Sequence, residues 1–334
     1  MRHGTTGWHV LGALVVGLVL ATGTGGAVEA ATVRKLTFIS TVNRPINLPS
    51  LIGLRALRQD GIEVEVRELR ESEAAVLAVA QGAGQFGTGF HAFFPAVERG
   101  APVVALMELA LPEFVLVTRR EITDIRALHG MQVASHSARS TQKVLLDFLL
   151  ARDYPAVVPE FVYMPAGSAA RAEALLVGSV RAATMDLSFA GVVMRRAPGQ
   201  FHILLDMTKL PVSSFYLIAR RDVVEQQPQL VRLVIQRILE SYRRGLADPT
   251  YWVRERGDFF KEMSPAELET QIREVIRVFD PNGGIDRLRG RGAIDNLQFQ
   301  VDARNISGPV MKWKPGTFFS PEPLEAVLQQ LGRR

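Results

Sequence analysis

Residues 36–66 read LTFISTVNRPINLPSLIGLRALRQDGIEVEV. Residues 36–40 are a short apolar run with β character. After a Val42-Asn43-Arg44-Pro45 loop, residues 50–59 put Leu51, Leu54, Leu57 and Arg58 at spacings that share one helix face, and Asp60-Gly61 ends the helix. Residues 62–66 then alternate as a second strand. Strand, helix and strand joined by short loops predict an α/β protein with a largely parallel sheet.

The alternation continues along the chain. A helix over 71–81, a strand over 85–89, a helix over 95–99 and strands over 103–107 and 114–118 follow, the last expected to continue the same sheet. The unit then starts again: a helical turn at 124–128, a strand at 131–134, a helix at 141–151, a strand at 160–163, a helix at 169–177 and a strand at 182–185. Strands over 201–205 and 215–219 complete this part. From Asp222 the pattern is mainly helical, over 228–246, 251–260 and 265–278. Residues 280–321, rich in Gly, Asn and Arg with Trp313 near the end, receive no element. Similar layouts around 82–99 and 178–194 predict two equivalent loops at the carboxyl ends of strands, where open α/β sheets bind ligands.

The N-terminus sets the compartment. Arg2 is the only charge before an apolar run over 10–21, and small residues at Val28 and Ala30 precede an expected cut after Ala30. That is the form of a secretory signal peptide over residues 1–30, and the run is well short of the ~20 residues that span a bilayer. The expected mature chain, 31–334, is exported and soluble. The sequence has no cysteine, so disulfides, thiolate metal sites and a lipid-modified N-terminal cysteine are all excluded. The net charge of +5 is unchanged by the cut, since the removed segment carries one Arg and one Glu. Charges alternate in sign, as in Arg67-Glu68-Leu69-Arg70-Glu71, so no nucleic-acid footprint is expected.

Catalytic motifs are scarce. Beyond the signal segment the histidines are His91, His129, His136 and His202, none at metal-ligand spacing, and there is no Gly-x-Ser-x-Gly or His-Glu-x-x-His. Gly82-Ala83-Gly84-Gln85-Phe86-Gly87 follows a helix and opens a strand, the reverse of a dinucleotide fingerprint. Gly87-Thr88-Gly89-Phe90-His91-Ala92 does follow a strand, with Glu108 about 20 residues on. The short strand and the bulky Phe90-His91 pair argue against that reading, and no cofactor or metal is expected. Residues 131–134 run as a strand into Ser135-His136-Ser137-Ala138-Arg139-Ser140-Thr141 and then a helix. Hydroxyls, backbone N–H groups and a guanidinium there make an anion site, while ordinary helix capping by Ser140 or Thr141 explains the same residues. Met164-Pro165-Ala166-Gly167-Ser168 is a second such turn.

The order of many short motifs resembles one family. Asp60 to Val66, Ala78-Val79-Ala80-Gln81-Gly82, Phe86-Gly87-Thr88-Gly89 and Glu98-Arg99-Gly100-Ala101-Pro102-Val103-Val104 are similar to the periplasmic substrate-binding proteins of ABC importers. The branch is the NMT1/THI5-like, sulfonate/nitrate/taurine-binding type. The likeness extends through Leu128-His129-Gly130-Met131-Gln132-Val133 and Ala174-Leu175-Leu176-Val177-Gly178-Ser179-Val180-Arg181-Ala182. It departs at Ala56-Leu57-Arg58-Gln59, where the family has Gly and aromatics, and at Arg181, where it has Asp.

The resemblance implies a two-lobed type II periplasmic binding fold, each lobe a mostly parallel sheet flanked by helices. Residues 31–118 would form lobe 1, 119–213 lobe 2, and 214–334 the return to lobe 1 with C-terminal helices, with hinge crossovers near Thr118 and Ser213. It implies a monomeric receptor, not an enzyme, that delivers a small organic anion to an inner-membrane ABC permease. Sensing for a membrane signalling partner, or an enzyme on the same fold, are the alternatives. The family's pocket loops fall on Asn43, Arg44, Thr88, Phe90, His91, Ser137, Arg139, Ser140, Gly167, Asp186, Ser188 and Ser214. Arg139 and Arg44 would hold the anion, and Phe90 or Phe189 would pack on its carbon skeleton.

Overall fold

The computed structural model describes residues 35–41, 44–69 and 71–334. The expected signal peptide lies outside the described residues. Strands β1 (Lys35–Thr41), β2 (Glu63–Leu69), β3 (Phe86–Gly89) and β4 (Val103–Ala110) come first. Strands β5 (Phe114–Arg119), β6 (Gln132–Ser135), β7 (Glu160–Tyr163), β8 (Ala182–Asp186), β9 (Phe201–Asp206) and β10 (Phe215–Arg220) follow. They form two five-stranded sheets, ordered β2-β1-β3-β10-β4 and β7-β6-β8-β5-β9. In the first, β1 runs parallel to β2 and β3, and β10 is antiparallel to β3 and β4. In the second, β6 runs parallel to β7 and β8, and β5 is antiparallel to β8 and β9. Each sheet is therefore mixed, with one strand running against its neighbours.

The chain leaves the first sheet once and returns once. Residues 114–118, expected to continue the first sheet, instead pair with β8 and β9 in the second. The change-over is the Leu111-Pro112-Glu113 link, not the region of Thr118. Pro112 has no N–H to give to a ladder, so the strand direction breaks there.

The helices are α1 (Leu48–Ala56), α2 (Ser72–Ala80), α3 (Phe93–Glu98), α4 (Thr141–Asp153), α5 (Ser168–Leu176), α6 (Leu187–Arg196) and α7 (Arg221–Gln226). They continue with α8 (Pro228–Ala247), α9 (Thr250–Arg254), α10 (Pro265–Val275), α11 (Ile285–Leu288), α12 (Gly290–Asp302) and α13 (Glu322–Leu331). The helix that closes the strand-loop-helix layout expected around 178–194 is α6, and it starts where the Asp186 carboxylate accepts from the Phe189 N–H at its first turn. The expected helix over 251–260 stops at Arg254, and Gly257 and Phe260 then take φ of 58° and 55°. The unassigned 280–321 region contains α11 and α12.

Burial follows the strand pattern. Every residue of β4 is buried, as expected of a strand covered on both faces. Phe93 and Phe94, on α3, are fully buried and pack their rings against Tyr216 and Phe318, so both belong to the core. Among the described residues, no helix is long and apolar enough to cross a membrane.

Candidate functional site

Five of the expected ligand loops follow the carboxyl ends of strands: Arg44 after β1, Phe90 and His91 after β3, Ser137 after β6, Gly167 after β7, and Asp186 at the end of β8, while Ser214 precedes β10. Asn43 lies outside the described residues. The structure brings Arg44 and Asp186 together. The Arg44 guanidinium donates to the Glu113 carboxylate in the link between the sheets, and its Nη1 lies 3.9 Å from Asp186 Oδ2. Its central carbon is 5.7 Å from the Phe90 ring centroid and 5.9 Å from that of Phe114. Arg44 is one-quarter exposed, whereas the Glu113 and Asp186 side chains are each 3% exposed. One guanidinium thus lies between two rings and two buried carboxylates, one of which ends a strand of the second sheet.

Asp186 is fixed from its other oxygen: Oδ1 accepts from Ser188 Oγ at 2.7 Å and from the Phe189 N–H at 3.1 Å. Ser188 is therefore part of the cap. Behind it lies Arg171 on α5, 1% exposed, with Nε donating to the Thr184 carbonyl at 2.7 Å, Nη2 to Ser168 Oγ at 2.9 Å and Nη1 to the Met164 carbonyl at 3.1 Å. Burial pulls its pKa down to about 10, with Arg44 adding to the fall and Asp186 opposing it. It stays charged at neutral pH. Burial pushes the Glu113 carboxyl up to about 7 against the pull of Arg44, with Asp186 adding to the rise. His136, in the loop after β6, is held below its ordinary value by burial and by the fields of Arg171 and Arg44, partly offset by Glu71.

The other expected residues fall in different surroundings. Phe90 is buried and stacks on Phe215, ring centroids 4.3 Å apart, so one of its faces belongs to the core. Thr88 is buried and its Oγ1 accepts from the Thr41 N–H at 3.1 Å, holding the end of β1. His91 is buried with Nδ1 3.1 Å from Gln300 Oε1, and burial drives its pKa down to about 4, which keeps the ring neutral at pH 7. Ser140 takes the cap position of α4, yet its hydroxyl turns back to the Ser137 carbonyl at 2.9 Å and makes no side-chain cap bond. Arg139 stands 84% exposed, 4.0 Å from Glu73 of α2, and is separate from the buried cluster. Gly167 caps α5 with φ 94°, a backbone that L side chains rarely adopt. Ser214 is buried beside the link, its N–H 3.5 Å from the Ala110 carbonyl.

Sequence reasoning missed Glu113 and Arg171. Glu113 sat between the strands expected over 103–107 and 114–118 and carried no motif. Arg171 had a legible signal: it shares a helix face with Ala174 and Leu175, and an arginine on an apolar face is either paired inside or misplaced. Glu108, considered as a dinucleotide contact, is committed instead to Arg287 and Ser213. The glycines of that motif serve sheet packing: a Cβ on Gly87 would lie 2.7 Å from the Ile39 carbonyl oxygen, and on Gly89 2.7 Å from Ile218. Among the described residues, no group of three or more His, Asp or Glu side chains is placed to hold a metal ion.

Two five-stranded mixed sheets, exchanged by two short links and flanked by helices, define a type II periplasmic binding fold. The model of the family described as NMT1/THI5 like matches residues 57–251, more than half of the chain, and the chain belongs to that family. The solved structures agree on the fold. The aliphatic sulphonate binding protein SsuA of Escherichia coli superposes with a TM-score of 0.66 at 14% identity, covering 84% of this chain and 92% of its own. The nitrate-binding protein NrtA of Synechocystis PCC 6803 gives 0.66 at 11% identity, covering 90% of each chain. The ligand-binding component of an ABC-type import system from Staphylococcus aureus, with zinc bound, gives 0.67 at 12% identity, covering 88% of this chain and 99% of its own. No curated protein matches the chain.

Proposed function

We propose that this chain is the substrate-binding component of an ABC import system, exported through a cleaved signal peptide and acting as a periplasmic monomer. Residues up to the 111–113 link and those from 214 onward form one lobe, and the intervening residues the other. A small organic anion is captured between the lobes, favours the closed state by touching both, and is handed to an inner-membrane permease. The site binds and releases without catalysing a reaction. The observation that carries this reading is the Arg44–Asp186 approach, which joins a loop of the first sheet to a strand end of the second. Family membership and the sulphonate- and nitrate-binding neighbours support it. Arg44, Phe90, Ser137, Gly167 and Asp186 line the ligand, with Thr88, His91, Ser140, Ser188 and Ser214 around them and Arg139 at the mouth.

A thermal-shift screen of residues 31–334 against sulfonates, nitrate, carboxylates, pyrimidines and nucleotides tests it. A ligand at a hundredfold excess over its Kd adds about 2.7 kcal/mol of stability. A shift of several degrees with small anions is the expected outcome. Stabilisation by dinucleotides alone would overturn the reading.

A further inference from the structure

We propose that Glu113 is an internal counter-anion that an incoming anionic ligand displaces from Arg44, so that the site takes up one proton with each anion it binds. This rests on the reading of the chain as an anion receptor and adds to it a residue, an exchange and a proton. Of the arginines near the site, Arg171 is held by three protein acceptors and Arg139 stands in solvent beside Glu73. Arg44 is the guanidinium at the meeting point of the two sheets that is partly open to solvent, lying between the rings of Phe90 and Phe114. Its two carboxylate neighbours are not equivalent. Asp186 is locked as the cap of α6 by Ser188 and the Phe189 N–H. The Glu113 carboxylate, among the described residues, is hydrogen-bonded to Arg44 alone, while its backbone carbonyl is anchored by the Leu187 N–H at 2.8 Å. The side chain can exchange without moving the main chain.

A carboxylate or sulfonate that takes the place of Glu113 on Arg44 would leave a buried, unpaired charge beside Asp186. Such a charge is too costly to keep, and a buried carboxyl escapes by binding a proton. Burial already raises Glu113 to about 7, so the proton is available near neutrality. The charged groups acting on Glu113 are Arg44 from the loop after β1 and Asp186 from the end of β8. Arg171 of α5 acts on Asp186 from behind, and His136, whose pKa is lowered, is neutral above pH 7. Above pH 7 the uptake approaches one proton per anion, so Kd rises about fivefold from pH 7 to 8 and about tenfold from pH 8 to 9.

The test is calorimetric and thermal-shift titration of residues 31–334 with nitrate, ethanesulfonate and acetate at pH 7 and pH 9, with uracil and ethylammonium in parallel. An anion that binds about fiftyfold more weakly at pH 9 than at pH 7 is the expected result. Glu113→Gln should bind it equally at both pH values, and Arg44→Met should lose it. Anion binding that is pH-independent in the wild type, or retained in Arg44→Met, overturns the proposal. So does silence of Glu113→Gln, in which Arg44 has lost its counter-charge, toward all three anions. A response confined to uracil or ethylammonium also overturns it but leaves a receptor for a different ligand class standing, which separates the two failures. The wild-type pH comparison needs no variant to fold.

Discussion

The Arg287 guanidinium, on α11, donates its Nε to the Glu108 carboxylate of β4 at 2.7 Å across 179 residues of sequence. Ser213, in the return link between the sheets, donates to the same carboxylate, and Arg287 Nη2 also reaches Asp280 at 2.8 Å. Glu108 is fully buried, so removing the cation leaves a buried charge with only a hydroxyl for company. Arg287→Met should therefore cost about 3–5 kcal/mol of stability in urea denaturation. Glu108→Gln combined with Arg287→Met should recover much of that loss, because the stranded charge goes with it. A double variant no more stable than the single would show that the arginine acts through packing instead.

Gly53 of α1 faces the backbone of α8. A Cβ built there would lie 2.6 Å from Ile238 Cα and 2.7 Å from the Arg237 carbonyl oxygen, and neither atom can swing away. Gly53→Ala gains helix propensity worth about 1 kcal/mol yet should still destabilise, since it forces two packed helices apart at a cost of 1–3 kcal/mol or more. A larger side chain at position 53 should prevent folding of the first-sheet half, seen as loss of soluble expression.

Arg171 supplies a third test. Two of its three acceptors, the Thr184 carbonyl and the Ser168 hydroxyl, are buried with it, and the third, the Met164 carbonyl, is partly buried. Arg171→Met should lower stability by roughly 3 kcal/mol, as acceptors lose their donors and Asp186 loses a neighbouring positive charge. Arg171→Lys should recover less than half, because one ammonium cannot reach three diverging acceptors. Equal stability of the lysine variant and wild type would mean that charge, not the fork of donors, is what the site requires.

The strand and helix succession was legible because it is written in short-range patterns: the β7 bounds 160–163 agree at both ends, and the loops after β1, β3, β6, β7 and β8 were placed. What the sequence hid is tertiary. Residues 114–119 look equally suited to either sheet, and only pairing with β8 and β9 decides. The charge of Arg44 was legible, but not that Glu113, 69 residues away, takes it up. Ser140 stands at the expected cap position, yet its hydroxyl chooses the Ser137 carbonyl, a competition that local propensity does not resolve.

Two buried groups should give opposing pH dependences that mask each other in the wild-type protein. His91 falls from its ordinary 6.5 to about 4 on burial, so the unfolded chain binds the extra proton between those values. Its contribution is complete above pH 6.5 and is lost as pH falls through 4, by up to about 3 kcal/mol at 1.36 kcal/mol per unit. Glu113 rises from 4.5 to about 7, so here the folded state binds the proton. That contribution is complete below pH 4.5 and is lost as pH rises through 7, again by about 3 kcal/mol. Between pH 4.5 and 6.5 the two slopes are nearly equal and opposite. Each variant should unmask the other group: over that window His91→Gln should lose stability as pH rises, and Glu113→Gln should gain it. Urea midpoints at half-unit pH steps check this. Parallel curves for the wild type and both variants would mean that neither group changes its proton affinity on folding, and would remove the titratable carboxyl on which proton-coupled anion binding depends.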